Sequence, residues 1–271
     1  DELAISEYTK ALTFLKHPSI YENRADDYLK LEEYEKALAD FTSSIDLDKE
    51  NPQRYDDRAD CYIAMGDYSH ALIDLTSAID LAPENPKGYN ARGLFYHDQE
   101  KYDLALADFE FILKLDPTYA WAINNIARIY NVQEKHDLAI EEYTKAIELS
   151  VDDPLSYSNR GLSYRDNLED YEKALEDFTS AIDLDKDNPE RYDYRADCYI
   201  AMEKYTDALK DLDKAIDLAP EDPYYYNNRA DFYETQENYD EALKDYATAI
   251  EISTDDYQTG VAINNRANIY W

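Results

Sequence analysis

The chain has 271 residues, enough for one large domain or two ordinary ones, and its 44% hydrophobic and 14% aromatic content excludes wholesale disorder. Only 5 glycines and 9 prolines argue against a sandwich or barrel built on many tight turns. A net charge of −34 excludes nucleic acid and anionic membranes as electrostatic partners, which require faces rich in Lys and Arg, and leaves basic partners, cations or simple solubility.

No apolar run approaches the roughly eighteen residues of a membrane span. In chain order, residues 1–17 predict one amphipathic helix, a half unit without a partner before it. Full units of two helices follow at about 18–51, 52–85, 86–119, 120–153, 154–188, 189–222 and 223–256, and residues 260–271 predict a last half unit. The unit length is set by two interlocked series of small residues. Ala25, Ala59, Gly93, Ala127, Gly161, Ala196, Ala230 and Ala267 step by 34, 34, 34, 34, 35, 34 and 37. Ala4, Ala37, Ala71, Ala105, Ala139, Ala174, Ala208 and Ala242 step by 33, 34, 34, 34, 35, 34 and 34.

Within "PQRYDDRADCYIAMGDYSHALIDLTSAIDLAPEN" the first helix presents Tyr55, Ala59 and Tyr62 on one stripe, and the second presents Ala71, Leu75 and Ala78. Pro52, Pro86, Pro154, Pro189 and Pro223 fall where first helices start, a position that tolerates the missing N–H. Tyr55, Ala59, Tyr62, Ala71, Leu75, Ala78 and Pro83, and in the next unit Tyr89, Gly93, Tyr96, Ala105, Phe109, Ile112 and Pro117, resemble the tetratricopeptide repeat pattern. That resemblance covers essentially the whole chain and implies an all-α, right-handed superhelical solenoid of antiparallel helix pairs, here a single array.

The pattern departs from the family in two ways: the usual first-helix Trp is Tyr or Ile here, and an arginine recurs in the first helix. The leucine before the small residue is Arg at Arg24, Arg58, Arg92, Arg160, Arg195, Arg229 and Arg266, with Ile126 the exception. Sixteen residues on stand Asp40, Asp74, Asp108, Asp211 and Asp245, with Asp177 at seventeen and Glu142 in the Ile126 unit. Opposite charges at that fixed spacing predict an Arg–Asp pair joining the two helices of a unit; an arginine ladder facing a ligand is the other reading.

A longer period lies above the short one. "YEKALADFTSSIDLDKENPQRYDDRADCYIAM" from Tyr34 nearly recurs from Tyr171, so four units are duplicated as a block, 137 residues apart. Cys61 and Cys198 are the same position of that block, one residue before a core tyrosine, and are expected to fill space without forming a disulfide. Two cysteines and no visible signal peptide point to a reducing, cytoplasmic compartment. The chain starts at "DELAISEY" and reads as a fragment of a longer protein. Apolar residues at its two end helices, Leu3, Tyr8, Leu12, Val261, Ile263, Ile269 and Trp271, lack a covering helix. Either flanking sequence covers them, or they dock head-to-tail on neighbouring molecules.

No phosphate loop, nucleophile elbow, zinc-protease helix or Cys-x-x-Cys occurs, so no catalytic residue, metal ligand or cofactor is assigned and the segment is expected not to be an enzyme. "DLDKDNPE" from Asp183 has three acids of a calcium loop but neither its glycine nor its closing glutamate.

Binding is better supported. First-helix positions 2, 5, 9 and 12 form a second stripe beside the packed one, which in the resembled family lines the concave groove for extended peptides. Here it carries Asp56, Asp60, Asn90, Asn124, Arg128, Asn131, Arg165, Asp193, Asp197, Asn227, Asp231 and Asn264, with Asn125, Asn159 and Asn228 alongside. An asparagine amide donates to and accepts from a backbone at once, which suits sequence-tolerant holding of a peptide; solvation alone also accounts for it. The carboxylates favour a segment containing Lys or Arg. The expected role is a protein–protein interaction scaffold for an extended or helical segment. Self-assembly through the end helices, and a substrate-selecting arm of an enzyme whose catalytic domain lies elsewhere, are the alternatives.

Overall fold

The computed structural model describes residues 2–270, and the described residues form sixteen α-helices and no strand. In order these are α1 (Glu2–Leu12), α2 (Pro18–Lys30), α3 (Tyr34–Leu47), α4 (Pro52–Ala64), α5 (Tyr68–Leu81), α6 (Pro86–Asp98), α7 (Tyr102–Leu115) and α8 (Ala120–Val132). There follow α9 (His136–Leu149), α10 (Pro154–Leu168), α11 (Tyr171–Leu184), α12 (Pro189–Ala201), α13 (Tyr205–Leu218), α14 (Pro223–Thr235), α15 (Tyr239–Ile252) and α16 (Asp256–Ile269). The chain divides into two compact units, residues 1–122 and 123–271, with the division inside α8.

The helix starts follow from local chemistry. Proline occupies the first turn of α2, α4, α6, α10, α12 and α14. The residue before it caps the helix: Asn51, Asn85, Asp153, Asn188 and Asp222 each accept a hydrogen bond from a first-turn backbone N–H. The caps satisfy donors that helix geometry leaves orphaned.

Between the first and second helices of seven successive pairs the chain reverses through one left-handed residue. It is glycine only at Gly66; Glu32, Glu100, Glu134, Glu169, Glu203 and Glu237 hold positive φ at the equivalent turns. A Cβ there costs roughly 1–2 kcal/mol, while glycine's added unfolded-state freedom gives back about 0.4–1. Glu203→Gly is therefore expected to raise stability by about 0.5–1 kcal/mol, read as a higher urea midpoint at constant slope. A lower midpoint would refute the strain.

In the first unit α2 packs on α3, α4 on α5 and α6 on α7, and successive pairs stack through α3–α4 and α5–α6. In the second unit α10–α11, α12–α13 and α14–α15 pack the same way, stacked through α11–α12, α13–α14 and α15–α16. The small-residue stripes lie at the closest crossings: Ala25, Ala59, Ala127, Ala196 and Ala230 are fully buried, as are Ala37, Ala71, Ala105, Ala139, Ala174, Ala208 and Ala242. At Gly93 and Gly161 the approach is closer still, since a Cβ there would lie 2.8 Å from the Phe109 and Phe178 rings respectively.

The arginine series does join the two helices of a pair. Arg24–Asp40, Arg58–Asp74, Arg92–Asp108, Arg160–Asp177, Arg195–Asp211 and Arg229–Asp245 are bidentate, each Nε and Nη2 donating to the two carboxylate oxygens at 2.6–2.9 Å. Helical geometry adds a layer. Residues three before and four after the arginine are tyrosines on the same face, so Arg58 lies 5.9 Å from the ring centres of Tyr55 and Tyr62. Arg24, Arg92, Arg195 and Arg229 sit between tyrosines in the same way. The third nitrogen reaches back to the preceding second helix: Nη1 of Arg24, Arg58, Arg160 and Arg195 donates to Thr9, Thr42, Thr144 and Thr179, and that of Arg229 to Asp213. One side chain thus ties three helices. Where Ile126 replaces the arginine, Glu142 accepts from Lys145 on its own helix instead.

Cys61 and Cys198 are free, fully buried thiols. Cys61 packs against Ala25, Ala37 and Phe41, and Cys198 against Ala174 and Phe178. Burial pushes their pKa values up to about 11 and about 12, which leaves them protonated and unreactive at neutral pH. At the ends, Leu3 and Ile263 are exposed, and Tyr8, Leu12, Val261 and Ile269 are half-buried; Trp271 lies outside the described residues. No helix among the described residues is long and apolar enough to cross a membrane.

Candidate functional site

The residues expected to bind stand on the first helix of each pair: α2, α4 and α6 in the first unit, and α8, α10, α12, α14 and α16 in the second. Equivalent residues lie one 34-residue repeat apart, so a side chain on one first helix meets the corresponding part of the next. In the second unit the predicted asparagines use this to bind each other and their neighbours. Asn124 Nδ2 donates to Ser156 Oγ at 2.7 Å, Asn159 Nδ2 to Asn124 Oδ1 at 2.9 Å, and Asn131 Nδ2 to Ser163 Oγ at 2.6 Å. Arg165 donates to Asp197 at 2.8 Å, Asn228 to Asp193 at 2.9 Å, and Asn227 to Gln258 Oε1 at 3.1 Å.

These bonds change the reading of the ladder. Asn124, Asn125, Asp193 and Asn227 are buried at 5%, 4%, 2% and 3% exposure, and the bonds of Asn124, Asp193 and Asn227 place those three in the seam between first helices. The amide donors expected to meet a peptide backbone stitch successive repeats together. Of the others, Asn131, Asn159, Arg165 and Asn228 are half-buried, while Arg128, Asp197, Asp231 and Asn264 are exposed. Arg128 donates to Asn125 Oδ1 at 3.2 Å, Asn265 donates to Asp231 at 3.0 Å, and Asn264 donates to Asn265 at 3.2 Å. Tyr246 O–H also donates to Asp231.

Sequence reasoning missed the partners Ser156, Ser163, Gln258 and Tyr224. A serine or glutamine carries no signal of its own; only the separation of 31 or 32 residues from an asparagine marks it.

The first unit is different. Glu22 is engaged by Arg54, whose Nε donates at 2.6 Å, and by Ser44 Oγ, also at 2.6 Å. Asp56 and Asp60 on α4 have no such donor, and Asp56 Oδ1 is a buried atom without a hydrogen-bond partner. Burial first, then the neighbouring Asp57 and Asp60 charges, push the Asp56 carboxyl up to about 7. Burial also raises Asp60, Asp57 and Asp26 above the ordinary carboxylate range. In the duplicated copy Asp193 is raised by burial against the bonds from Asn228 and Tyr224, and Asp197 reaches about 6. Asn90 is half-buried on α6. Among the described residues no three histidine, cysteine or acidic side chains converge as a set of metal ligands.

Stacked pairs of antiparallel helices, small residues at their crossings and a polar first-helix face define a tetratricopeptide repeat protein. The chain belongs to the family described as the ETO1 C-terminal domain, whose model matches residues 83–269, and the tetratricopeptide repeat model matches residues 18–51 and 52–85. Among curated proteins none matches it.

Solved structures share the fold at low identity. A tetratricopeptide repeat protein from Parabacteroides merdae is 18% identical with a TM-score of 0.64, over 90% of this chain and 97% of that one. YrrB, a tetratricopeptide repeat protein with an unusual peptide-binding site, is 22% identical with a TM-score of 0.53, over 71% of this chain and 97% of that one. The human IFIT1 dimer with m7Gppp-AAAA is 20% identical with a TM-score of 0.68, over 93% of this chain and 63% of that one. Tetratricopeptide repeats are in general protein-interaction scaffolds and typically non-catalytic.

Proposed function

We propose that this chain is a protein-interaction scaffold whose first-helix face holds an extended partner segment of basic character. The observation that carries the reading is the Asp56–Asp60 patch: carboxylates one turn apart, crowded by Asp57, and with a buried oxygen that no donor meets. Folding has placed acids together without a cation, and a lysine or arginine from a partner relieves the repulsion. Each unit offers its own part of that face: in the first, exposed Asp60 with half-buried Asp56 and Asn90; in the second, exposed Arg128, Asp197, Asp231 and Asn264 with half-buried Asn131, Asn159, Arg165 and Asn228. In the second unit Asn124, Asp193 and Asn227 hold the seam behind them.

Fluorescence anisotropy with a labelled extended peptide bearing lysines, against its glutamine counterpart, tests this. Wild type is expected to prefer the lysine peptide, and Asp56→Asn/Asp60→Asn to lose about tenfold in affinity, the loss shrinking at high salt. Equal affinity for both peptides, or an unaffected double variant, sinks the reading.

The pH dependence has a definite sign. Asp56 is neutral below about 7 and Asp197 below about 6, so affinity for the basic peptide should rise as pH increases through that range. The same shift acts on stability. An aspartate whose folded value is raised above its ordinary 3.8 opposes folding once ionised, so stability is lost between roughly pH 4 and 7. Asp56→Asn should flatten that loss and change little at pH 3.

Self-assembly is favoured by one observation, the exposure of Leu3 (79%) on α1, of Phe14 (84%) just after it and of Tyr270 (72%) just after α16. It predicts a mass that grows with concentration in light scattering, and a constant monomer mass rejects it.

A further inference from the structure

The second unit contains a cleft of about 450 Å³ where the first turns of α12, α14 and α16 meet. Its walls are the rings of Tyr194, Tyr224 and Tyr225, and five carboxylates reach it from Glu190, Asp193, Glu221, Asp222 and Asp255, with no lysine, arginine or histidine in the lining. The carboxylates are not equivalent. Asp222 and Asp255 each spend an oxygen capping a helix, on the N–H groups of Tyr224 and Tyr257. Asp193 is buried and receives Asn228 Nδ2 at 2.9 Å and Tyr224 O–H at 3.3 Å, which fixes the Tyr224 ring. Glu190 and Glu221 are exposed at the rim.

One buried acceptor stands behind the cleft without a donor. Gln258 lines the cleft and accepts from Asn227 Nδ2, while Asn227 Oδ1, itself buried, meets no donor. Cation binding by these rings has an internal precedent, since the Arg165 guanidinium sits 5.2 Å from the Tyr194 ring centre.

The other copy of the duplicated block carries different chemistry at the equivalent positions. Subtracting 137, Tyr194, Tyr224, Tyr225 and Asn228 correspond to Asp57, Lys87, Gly88 and Ala91, and Glu190 and Asp222 to Gln53 and Asn85. The first copy lacks all three aromatic walls, has neutral amides for two carboxylates, and carries a cation where Tyr224 stands. The flanking "RADCYIAM" is unchanged in both copies.

We propose that this cleft holds the cationic side chain, lysine or arginine, of an extended partner segment, its methylene stem on the Tyr194 and Tyr224 rings and its charged head at Glu190 and Glu221. Aromatic faces attract a cation and bury its stem, while the carboxylates supply countercharge. The volume lies within the range of roughly 300–1,000 Å³ typical of ligand sites, enough for a side chain with some backbone. The inference rests on the scaffold reading above only for the source of the cation, a protein segment.

The test is an NMR titration of the whole chain with acetyl-Gly-Ser-Lys-Ser-Gly-amide, its norleucine counterpart and n-butylammonium. The lysine peptide is expected to shift the Tyr224, Tyr225 and Gln258 amides and the norleucine peptide to leave them unmoved. Tyr224→Ala, at an exposed ring, should weaken binding by about tenfold, within the span of a partly desolvated cation–π contact. Glu190→Gln/Glu221→Gln should weaken it and reduce its salt dependence. The cleft is overturned if norleucine matches lysine, if both variants bind as wild type, or if no probe moves these amides at about 10 mM, ten times a Kd of about 1 mM. Butylammonium binding as tightly as the peptide overturns the partner segment in favour of a free amine. In each case the Asp56/Asp60 anisotropy experiment stands apart: binding retained there means that only the cleft falls.

Discussion

Replacing Arg92 by alanine is expected to destabilise the fold by about 3–5 kcal/mol, because it strands Asp108 as a buried, unpaired charge. The Arg92 side chain is 20% exposed and that of Asp108 only 7%, with Nε and Nη2 donating to the carboxylate at 2.9 and 2.7 Å. The arginine also sits 5.9 Å from the Tyr89 and Tyr96 ring centres, so its loss leaves two aromatic faces without their filling. Lysine at this position keeps the charge but offers no planar fork, so Arg92→Lys should recover only part of the loss. Removing both partners is a different experiment. Arg92→Met/Asp108→Leu leaves no orphaned charge and should fall within about 1–2 kcal/mol of wild type on either side. Urea unfolding followed by circular dichroism measures all three; an Arg92→Ala midpoint equal to wild type would remove the pair from the account of stability.

Phe178→Ala is the second large effect, with an expected cost of about 3–5 kcal/mol. Phe178 is fully buried among Ala174, Cys198 and Tyr194, and its ring fills the space created by the missing Cβ of Gly161. The helices cannot close over the cavity, because Arg160 ties α10 to α11 through Asp177 and to α9 through Thr144. Phe178→Leu should cost less, since most of the volume is kept. Gly161→Ala is a diagnostic companion. In wild type its Cβ would meet the ring at 2.8 Å, an overpacking that outweighs the roughly 1 kcal/mol of helix propensity gained; in Phe178→Ala the same methyl enters an empty space. A double-mutant cycle should therefore show the pair compensating. Strict additivity would mean that the glycine is not there for the ring.

Much of the fold is legible in residue spacing. Two series of small residues about 34 apart mark the crossings, prolines mark helix starts, and an aspartate sixteen or seventeen residues after six of the arginines marks the pair that joins two helices. All three signals act within one helix pair, where a fixed turn makes sequence distance a good proxy for spatial distance. The aromatic flanks of the arginines are also latent in it, since positions three before and four after share a helix face, but they become visible only once the arginine is known to point along that face.

The site is less legible for a physical reason. Whether Asn124 or Asn227 meets a ligand depends on how one first helix rotates against the next, and that angle is set by packing between repeats. A shift of one position, about 100° around a helix, separates exposed Arg128 from buried Ala127 and Ile129. Hence Asn124, Asn131, Asn159 and Asn227, expected from the sequence to face a peptide, bond to the neighbouring repeat.

The stretch shared by the two copies shows the division of labour. By itself the sequence "RYDDRADCYIAM" and its twin "RYDYRADCYIAM" determined a first helix with a core alanine, a buried cysteine and a paired arginine, because these depend on helical periodicity and a short loop. Only the tertiary structure decided that their aspartates differ. Asp56 keeps an oxygen without a donor, whereas Asp193 is buried under Asn228 and Tyr224 from the next pair of helices. The electrostatics of a carboxylate depend on what packs over it, and those atoms come from a repeat more than thirty residues away.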